Sequence, residues 1–246
     1  MGPYVRHLIA NHRVLVTTID GDVVAYGAVV DAVRAAQLCD LFVDPGRLGQ
    51  GLGRPLLTAL FEGSTHRTTF ASDDPRALPL YARAGMSPRW VCLYLDGASS
   101  AIEAQPGLDV ESAEPTRIAE LERVWTGTFR PVDHAFWATQ AEADPFVVSD
   151  GAGPVAAGYG RARQVSDARA LDRLVVRPDA DPVAPALEAL RRIGRGGPVH
   201  VAMPGPNPLL QALLERRFQV VDRDQYMASS DDIVDPIHMF PNTGLL

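Results

Sequence analysis

The chain has 246 residues, of which 46% are hydrophobic and 22% charged, enough to bury a core in one large domain or two small ones. Its formal net charge of -7 argues against a nucleic acid or an anionic membrane as the main ligand, because either would attract a basic surface. No segment approaches the roughly 20 apolar residues of a membrane-spanning helix, and the N-terminus lacks the apolar core of a signal peptide, so we expect a soluble, cytoplasmic protein.

The first elements predicted along the chain are three strands. Two apolar runs, 13–19 and 23–30, flank a turn at 20–22 that contains Asp-Gly, which is typical of a β-hairpin. A third apolar run, 37–43, ends at the turn-forming sequence Asp44-Pro45-Gly46. The hairpin and the third run together predict an antiparallel start to a sheet.

A glycine-rich turn, Leu48 to Gly53, follows the third strand and leads into a helix in which leucines recur at helical spacing up to Gly63. Unpaired amides at the start of a helix favour negative charge, and glycines let a diphosphate approach the main chain. The same pattern also fits a tight structural turn. A dinucleotide site is a weaker alternative because it needs GxGxxG within a parallel unit, and a Walker loop is excluded because no GK[ST] is present.

A further strand and helix complete this block. The run 68–71 predicts a strand, and Asp74 followed by proline predicts a helix start, with the helix ending at Gly85. Pro79 would remove one helical hydrogen bond, so we expect a kink or a late start at that point.

A strand over 90–95 closes the first block, and the residues after it are rich in Gly, Ala and Ser, which predicts a linker. We place this linker at 97–106. The predicted domains are therefore 1–96 and 107–246.

An internal repeat supports this division. Val43-Asp44-Pro45 matches Val176-Arg177-Pro178 at an offset of 133 (176 minus 43), and Tyr26-Gly27 matches Tyr159-Gly160 at the same offset (159 minus 26). Only the second copy has a strand and two helical stretches before its hairpin, which indicates that the first copy is shortened at its N-terminus. Another segment would then have to cover the exposed sheet edge.

Two stretches, Leu41–Arg54 and Asp74–Met86, together resemble the GCN5-related N-acetyltransferase (GNAT) family. The resemblance covers residues 10–95 well and 107–230 only as a fold. It implies an α+β fold of two GNAT-type acyl-CoA N-acyltransferase domains in tandem, each a central, mostly antiparallel sheet flanked by helices.

The resemblance also implies acetyl-CoA as cosubstrate and a primary amine as acceptor, with direct transfer in a ternary complex. The pantetheine arm would pair with the third strand and the diphosphate would bind the glycine-rich turn. The implied cofactor contacts are Leu41, Phe42, Val43, Leu48, Gly49, Gln50, Gly51, Leu52, Gly53, Arg54 and Asp74. The family usually has Gln or Arg at the position of Leu48, so one side-chain contact is lost there.

Tyr81 matches a family tyrosine and is the candidate general acid, because a phenol can donate a proton or hydrogen bond to a leaving thiolate. The position of the acidic residue that some relatives use as a base is Gln37, which cannot accept a proton. Asp40 is the only carboxylate inside the third strand and is the candidate base, with ordered water as an equal alternative. Strand alternation places Asp40 on the same face as Leu38 and Phe42.

The two cysteines, Cys39 and Cys92, lie in apolar segments and lack metal-binding spacing, so we expect reduced core thiols and no metal. In the second copy the glycine turn is replaced by Asp181–Ala186, which has prolines and no glycine, and Leu213 replaces the tyrosine. We therefore expect a second domain that is catalytically silent and either shapes the acceptor pocket or forms a homodimer interface. The alternative for the whole chain is a non-catalytic acyl-CoA-binding or regulatory module.

Overall fold

The computed structural model describes residues 1–31, 34–163 and 166–245. The chain divides into two compact units that are not contiguous in sequence. Unit 1 comprises Met1–Arg89, Asp224–Ile233 and Thr243–Leu246, and unit 2 comprises Trp90–Arg223 and Val234–Asn242. Each unit therefore contains a segment from the C-terminal part of the chain, in contrast to the contiguous domains expected from the sequence.

The first 86 residues contain three helices, four strands and one 3-10 turn within the described ranges. In chain order these elements are α1 (Pro3–Asn11), β1 (Arg13–Ile19), β2 (Asp22–Asp31), β3 (Ala36–Val43), a 3-10 turn (Pro45–Arg47), α2 (Gly53–Leu60), β4 (Arg67–Ala71) and α3 (Ala77–Arg83).

The rest of the chain repeats this order with additional elements before its hairpin. Its elements are β5 (Ser87–Ala98), a 3-10 turn (Ser99–Ala101), β6 (Asp109–Ser112), α4 (Pro115–Thr126), α5 (Pro131–Ala138), β7 (Asp144–Asp150), β8 (Gly153–Ala162), β9 (Arg169–Val176), α6 (Ala184–Gly194), β10 (Pro198–Pro204), α7 (Leu209–Glu215), β11 (Gln219–Ala228) and β12 (Met239–Phe240).

Both units are built on a mostly antiparallel sheet, which confirms the predicted α+β fold class. In unit 1, β1, β2 and β3 pair antiparallel in sequence order, β4 is parallel to β3, and the end of β11 pairs antiparallel with β4. In unit 2, β6 to β9 pair antiparallel in order, β10 is parallel to β9, and β5 and β12 pair antiparallel with β10 and β9. Among the described helices, none is long and apolar enough to cross a membrane.

The core of unit 1 lies between its sheet and the helices α2 and α3. Leu56 and Leu60, which recur at the predicted helical spacing, are buried there with Leu38 and Tyr81. A helix buries one face when its apolar residues recur every three to four positions. α2 therefore starts at the glycine-rich turn and is fixed on the sheet by its leucines.

α1 is an element that the sequence analysis did not predict. It has proline at its first position, where the missing amide hydrogen is tolerated, and it buries Leu8. The helix precedes β1 directly and occupies the N-terminal dozen residues that otherwise had no assigned structure.

The linker expected at 97–106 differs from the structure. β5 continues to Ala98 and pairs with β10, and Ile102 is only 4% exposed. Gly97 is a strand residue whose missing side chain makes room for a ring: an added Cβ would lie 2.3 Å from Cγ of Phe218. Gly97, which the sequence placed in a linker, is therefore a strand residue that allows the Phe218 ring to pack closely against β5.

The strands β3 and β9 carry the same bulge. The β2–β3 ladder skips Cys39, and the β8–β9 ladder skips Asp172, at the predicted offset of 133 (172 minus 39). Beside the bulges, Ala28 and Tyr159 occupy equivalent places in the partner strands, at an offset of 131 (159 minus 28). The predicted match of Tyr26 with Tyr159 is therefore wrong by two residues, because the β8–β9 connection is two residues longer than the β2–β3 connection.

Candidate functional site

In unit 1 the strands β3 and β4 separate after a short parallel ladder. They pair from Ala36 opposite Arg67 to Leu38 opposite Thr69, and the described part of unit 1 has no strand paired with β3 on that side beyond Leu38. The following residues, 41–43, therefore present a main-chain edge with open hydrogen-bonding capacity. This is where the sequence analysis placed the pantetheine arm.

The glycine-rich turn lies directly after this edge. Gly49 and Gly51 have φ values of +79° and +81°, a region that glycine adopts without steric cost, and a Cβ on either would meet no atom within 4 Å. α2 then begins at Gly53 without a side-chain cap in the described structure. The open space beside these glycines and the uncapped helix start fit a diphosphate.

The remaining residues of the turn contribute differently. Gly53 does not have a left-handed backbone, and its Cβ position would make ordinary contacts with Leu80 at 3.7 Å and Val43 at 3.9 Å. The amide of Gln50 donates to the Arg47 carbonyl at 3.4 Å. A hydrogen bond within the turn therefore helps to hold its conformation. Gly49 and Gly51 are the two positions whose backbone requires glycine.

Asp74 stabilises the approach to α3. Its carboxylate accepts hydrogen bonds from the Arg76 amide and from Nε of Arg76, both at 2.9 Å, and these bonds lower its pKa to about 2. The helix begins at Ala77 rather than directly after Asp74, so the helix start predicted at Asp74 is wrong; of the kink and the late start expected from Pro79, the late start is confirmed. Pro79 lies in the first turn, where a missing amide hydrogen costs little. A cofactor contact by Asp74 remains a prediction.

Tyr81 lies on α3 and packs into the core of unit 1, where 9% of its surface is exposed. Burial, with a smaller effect of the negative charge on Asp74, raises the pKa of Tyr81 to about 12. The phenol is therefore protonated at neutral pH and available as a hydrogen-bond donor.

The bulge at Cys39 changes the orientation of Asp40. Leu38 and Leu41 both pack into the core of unit 1, although strand alternation would place them on opposite faces. Cys39 is the extra residue of the bulge, and side chains alternate regularly between the two faces again from Asp40 onwards. The expectation that Asp40 shares a face with Leu38 is therefore wrong, whereas Asp40 and Phe42 do share one.

Asp40 lies among phenols on the face opposite the core. The Tyr26 hydroxyl donates to Oδ2 of Asp40 at 3.4 Å, and the rings of Tyr26 and Phe42 stack with their centroids 5.4 Å apart. Tyr4 of α1 approaches the same carboxylate, and its hydroxyl donates to the Gly244 carbonyl at 3.2 Å. Sequence reasoning missed Tyr4, because no periodicity or motif linked the N-terminal residues to β3.

The pKa of Asp40 is raised by burial, and the hydrogen bonds from Tyr26 and Tyr4 partly offset this rise. Tyr81, in contrast, is affected by Asp74 and packs on the core side. The two predicted catalytic side chains therefore have different neighbourhoods, one on each side of the sheet.

In unit 2 the positions equivalent to the predicted cofactor contacts are filled by groups of the chain itself. The carboxylate of Asp181 accepts hydrogen bonds from the amides of Val183 and Ala184, both at 3.1 Å, at the start of α6. These are amides of the kind that would bind a phosphate. The amino-acid carboxylate satisfies them within the chain.

The main-chain edge of β9 is also paired. Met239 and Phe240 of β12 pair with Val175 and Leu174, and the amide of Val176 donates to the His238 carbonyl at 2.8 Å. At the offset of 133, Leu174 and Val175 are the equivalents of Leu41 and Phe42, where β3 of unit 1 is open (174 minus 41, 175 minus 42). A backbone segment of the chain thus lies where a pantetheine arm would pair.

The equivalent of Asp40 in unit 2 is Arg173, which belongs to a buried network. Its guanidinium donates to both carboxylate oxygens of Glu122, at 2.9 and 2.5 Å. Nδ1 of His134 lies 3.0 Å from the hydroxyl of Tyr159, and Nε2 of His134 lies 3.3 Å from Glu122. All four side chains are nearly inaccessible to solvent, so the position equivalent to Asp40 is occupied by an internal ion pair.

Asp181→Ala is expected to lower the free energy of unfolding by about 1 kcal/mol, because two amides of α6 lose their acceptor. Urea unfolding followed by circular dichroism measures this change. Asp179→Ala is the matched control: its carboxylate is exposed and pairs with the neighbouring Arg177, so the loss should be close to zero. Equal losses in the two variants would contradict the capping role.

Residues 10–85 match the family model described as the acetyltransferase (GNAT) domain. The chain is a GNAT-fold protein. No curated protein sequence is similar enough to count as a match. The GNAT model covers the hairpin, β3, the glycine-rich turn, α2, β4 and α3, which are the elements that build the site described above.

Solved structures with the GNAT fold are similar over nearly the whole chain. A putative acetyltransferase from Pyrococcus horikoshii superposes with a TM-score of 0.72 at 14% identity, covering 99% of this chain and 81% of that one. A GCN5-related N-acetyltransferase from Anabaena variabilis gives 0.64 at 13% identity, covering 92% and 64%. A tandem GNAT protein from the clavulanic acid biosynthesis pathway gives 0.58 at 14% identity, covering 95% and 89%. At these identities the likeness establishes the fold, which generally supports acyl transfer.

Proposed function

We propose that unit 1 transfers the acetyl group of acetyl-CoA to a primary amine in a ternary complex, and that unit 2 has no cofactor site of its own. The observation that carries this proposal is the contrast between the units. In unit 1 the β3 edge and the glycine-rich turn are open, whereas in unit 2 the same two features are filled by β12 and by Asp181.

The cofactor would be held mainly by main-chain groups. The arm would pair with Leu41, Phe42 and Val43, and the diphosphate would accept hydrogen bonds from amides of Gly51 to Arg54 at the start of α2. Leu48 is 43% exposed, and its side chain has no polar atom that could hydrogen-bond to the cofactor. Binding therefore depends on backbone geometry more than on side-chain charge.

Acetyl transfer needs a neutral amine and a stabilised leaving group. Asp40 would accept one proton of the acceptor ammonium ion, after which the amine lone pair forms the N–C bond while the C–S bond breaks, and the nitrogen then releases its second proton to solvent. The thiol that leaves has a pKa of about 8.5, below the value of about 12 for Tyr81. Tyr81 would therefore stabilise the developing thiolate by a hydrogen bond, and solvent would supply the final proton.

Tyr81→Phe is expected to lower kcat for acetyl transfer about a hundredfold, because the donor to the leaving sulfur is lost, while the affinity for CoA stays the same. Steady-state kinetics with acetyl-CoA and a panel of primary amines, together with calorimetric titration of CoA, measures both quantities. Tyr226→Phe is a matched control, since Tyr226 is another buried phenol of unit 1 whose pKa is raised to about 12.

Two results would contradict the proposal in different ways. Firm CoA binding without transfer to any amine would support the alternative of a non-catalytic acyl-CoA-binding or regulatory module. Equal kcat values for the Tyr81 and Tyr226 variants would remove Tyr81 from the reaction but leave the cofactor site intact.

A further inference from the structure

The face of unit 1 that carries Asp40 also carries three aromatic side chains. Tyr26 and Phe42 stack on neighbouring strands, and Tyr4 reaches the same carboxylate from α1. Phe42 is 56% exposed, so part of its ring is accessible to solvent. Ring faces and a carboxylate together form a surface that attracts cations.

Among the described residues, Asp40 has no positively charged partner. Its phenol neighbours, Tyr4 and Tyr26, have pKa values raised by burial and by the Asp40 charge, so both are neutral. In the described ranges no arginine or histidine lies within ion-pair distance of Asp40. The carboxylate therefore has hydrogen bonds but no counter-charge.

Other oxygen atoms nearby are also acceptors. The Gly244 carbonyl accepts from Tyr4 at 3.2 Å, and the Thr243 carbonyl accepts from Nε2 of Gln37 at 3.4 Å. Both carbonyls belong to the terminal segment of unit 1. A carbonyl oxygen has two lone pairs and can accept from an ammonium group in addition to these donors.

We propose that Asp40, Tyr4, Tyr26 and Phe42 form an ammonium subsite that selects cationic primary amines without a carboxylate beside the amino group. This inference rests on the proposed function and names the acceptor class. The ammonium group donates to Asp40 and lies against the rings, and an α-carboxylate on the acceptor would be repelled by Asp40 at short range. Transfer of one ammonium proton to Asp40 leaves the neutral amine that attacks the acetyl carbon.

Tyramine and tyrosine are a matched pair of probes because they differ only in the α-carboxylate. Calorimetric titration in the presence of CoA is expected to show that tyramine binds at least tenfold more tightly than tyrosine. In Asp40→Asn the affinity for tyramine should fall and the preference should shrink towards one. A wild-type chain that binds both amines equally, or prefers tyrosine, would overturn the subsite.

The aromatic contribution is tested by Phe42→Ala, which should weaken tyramine binding several-fold when each variant is titrated at saturating CoA. Phe129→Ala is the control, since Phe129 is an exposed phenylalanine of unit 2. Equal tyramine affinity in the two variants would overturn the role of the ring. These are binding measurements, so absence of acetyl transfer would count against the proposed function and would leave the test of the subsite unaffected.

Discussion

Gly51→Glu is expected to weaken CoA binding at least about a hundredfold, equivalent to about 2.7 kcal/mol. The added carboxylate would enter the open space beside the turn, where it would repel the diphosphate and compete for the same amides. The residue would also have to adopt a left-handed backbone at a cost of about 1–2 kcal/mol. Calorimetric titration of CoA measures the affinity, and urea unfolding measures the stability.

Gly63→Glu separates these two effects. Gly63 has a φ of +77°, its Cβ position is equally open, and it lies beyond the other end of α2. This variant should show a similar loss of stability and an unchanged affinity for CoA. Equal loss of CoA affinity in both variants would mean that the turn has no special part in binding.

Glu122→Gln is expected to lower the free energy of unfolding by about 3–5 kcal/mol, because Arg173 would remain buried without a charged partner. Arg173 is 1% exposed, and its guanidinium donates two hydrogen bonds to the Glu122 carboxylate. Chemical unfolding followed by circular dichroism measures the change. Glu120→Gln, on the same helix, removes only an exposed pair with Arg123 and should cost at most about 0.5 kcal/mol.

The same network makes stability depend on pH. Burial alone would raise the pKa of Glu122, but Arg173, the hydrogen bond from His134 and the charge of Arg130 together hold it well below its usual range. A lowered folded-state pKa means that the stabilisation is complete above the unfolded value of about 4.3 and is lost as the pH falls below it. Equal acid sensitivity of wild type and Glu122→Gln would contradict this account.

Local patterns predicted the elements that carry the proposed cofactor contacts. The Asp-Gly hairpin, β3, the glycine-rich turn and the leucine spacing of α2 are short-range features, and each follows from turn chemistry or periodicity. The late start of α3 followed from Pro79. These are places where local sequence preference and tertiary structure agree.

The errors arose where long-range packing decided the outcome. The bulge at Cys39 inserts one residue into a ladder, which no periodicity reveals, and it turned Asp40 away from Leu38. Gly97 was read as part of a linker because its role is to accommodate Phe218, which is distant in sequence. Tyr4 and the tail carbonyl of Gly244 likewise meet β3 only in the folded unit.

The missing glycines predicted that unit 2 is catalytically silent, and two contacts in the structure support this proposal. β12 pairs with β9 and Asp181 binds the first amides of α6, so the chain itself occupies both positions that a cofactor would need. Neither contact could be predicted from the sequence. β12 has only two residues, and an aspartate before a helix does not reveal that it occupies a phosphate position.

A crystal structure of the chain with CoA tests the central claim most directly. The account predicts one CoA per chain, with its diphosphate within about 3 Å of amides in the turn from Gly49 to Arg54 and its arm beside residues 41–43 of β3. CoA bound against β9 and α6 of unit 2, or a diphosphate away from the glycine-rich turn, would contradict it.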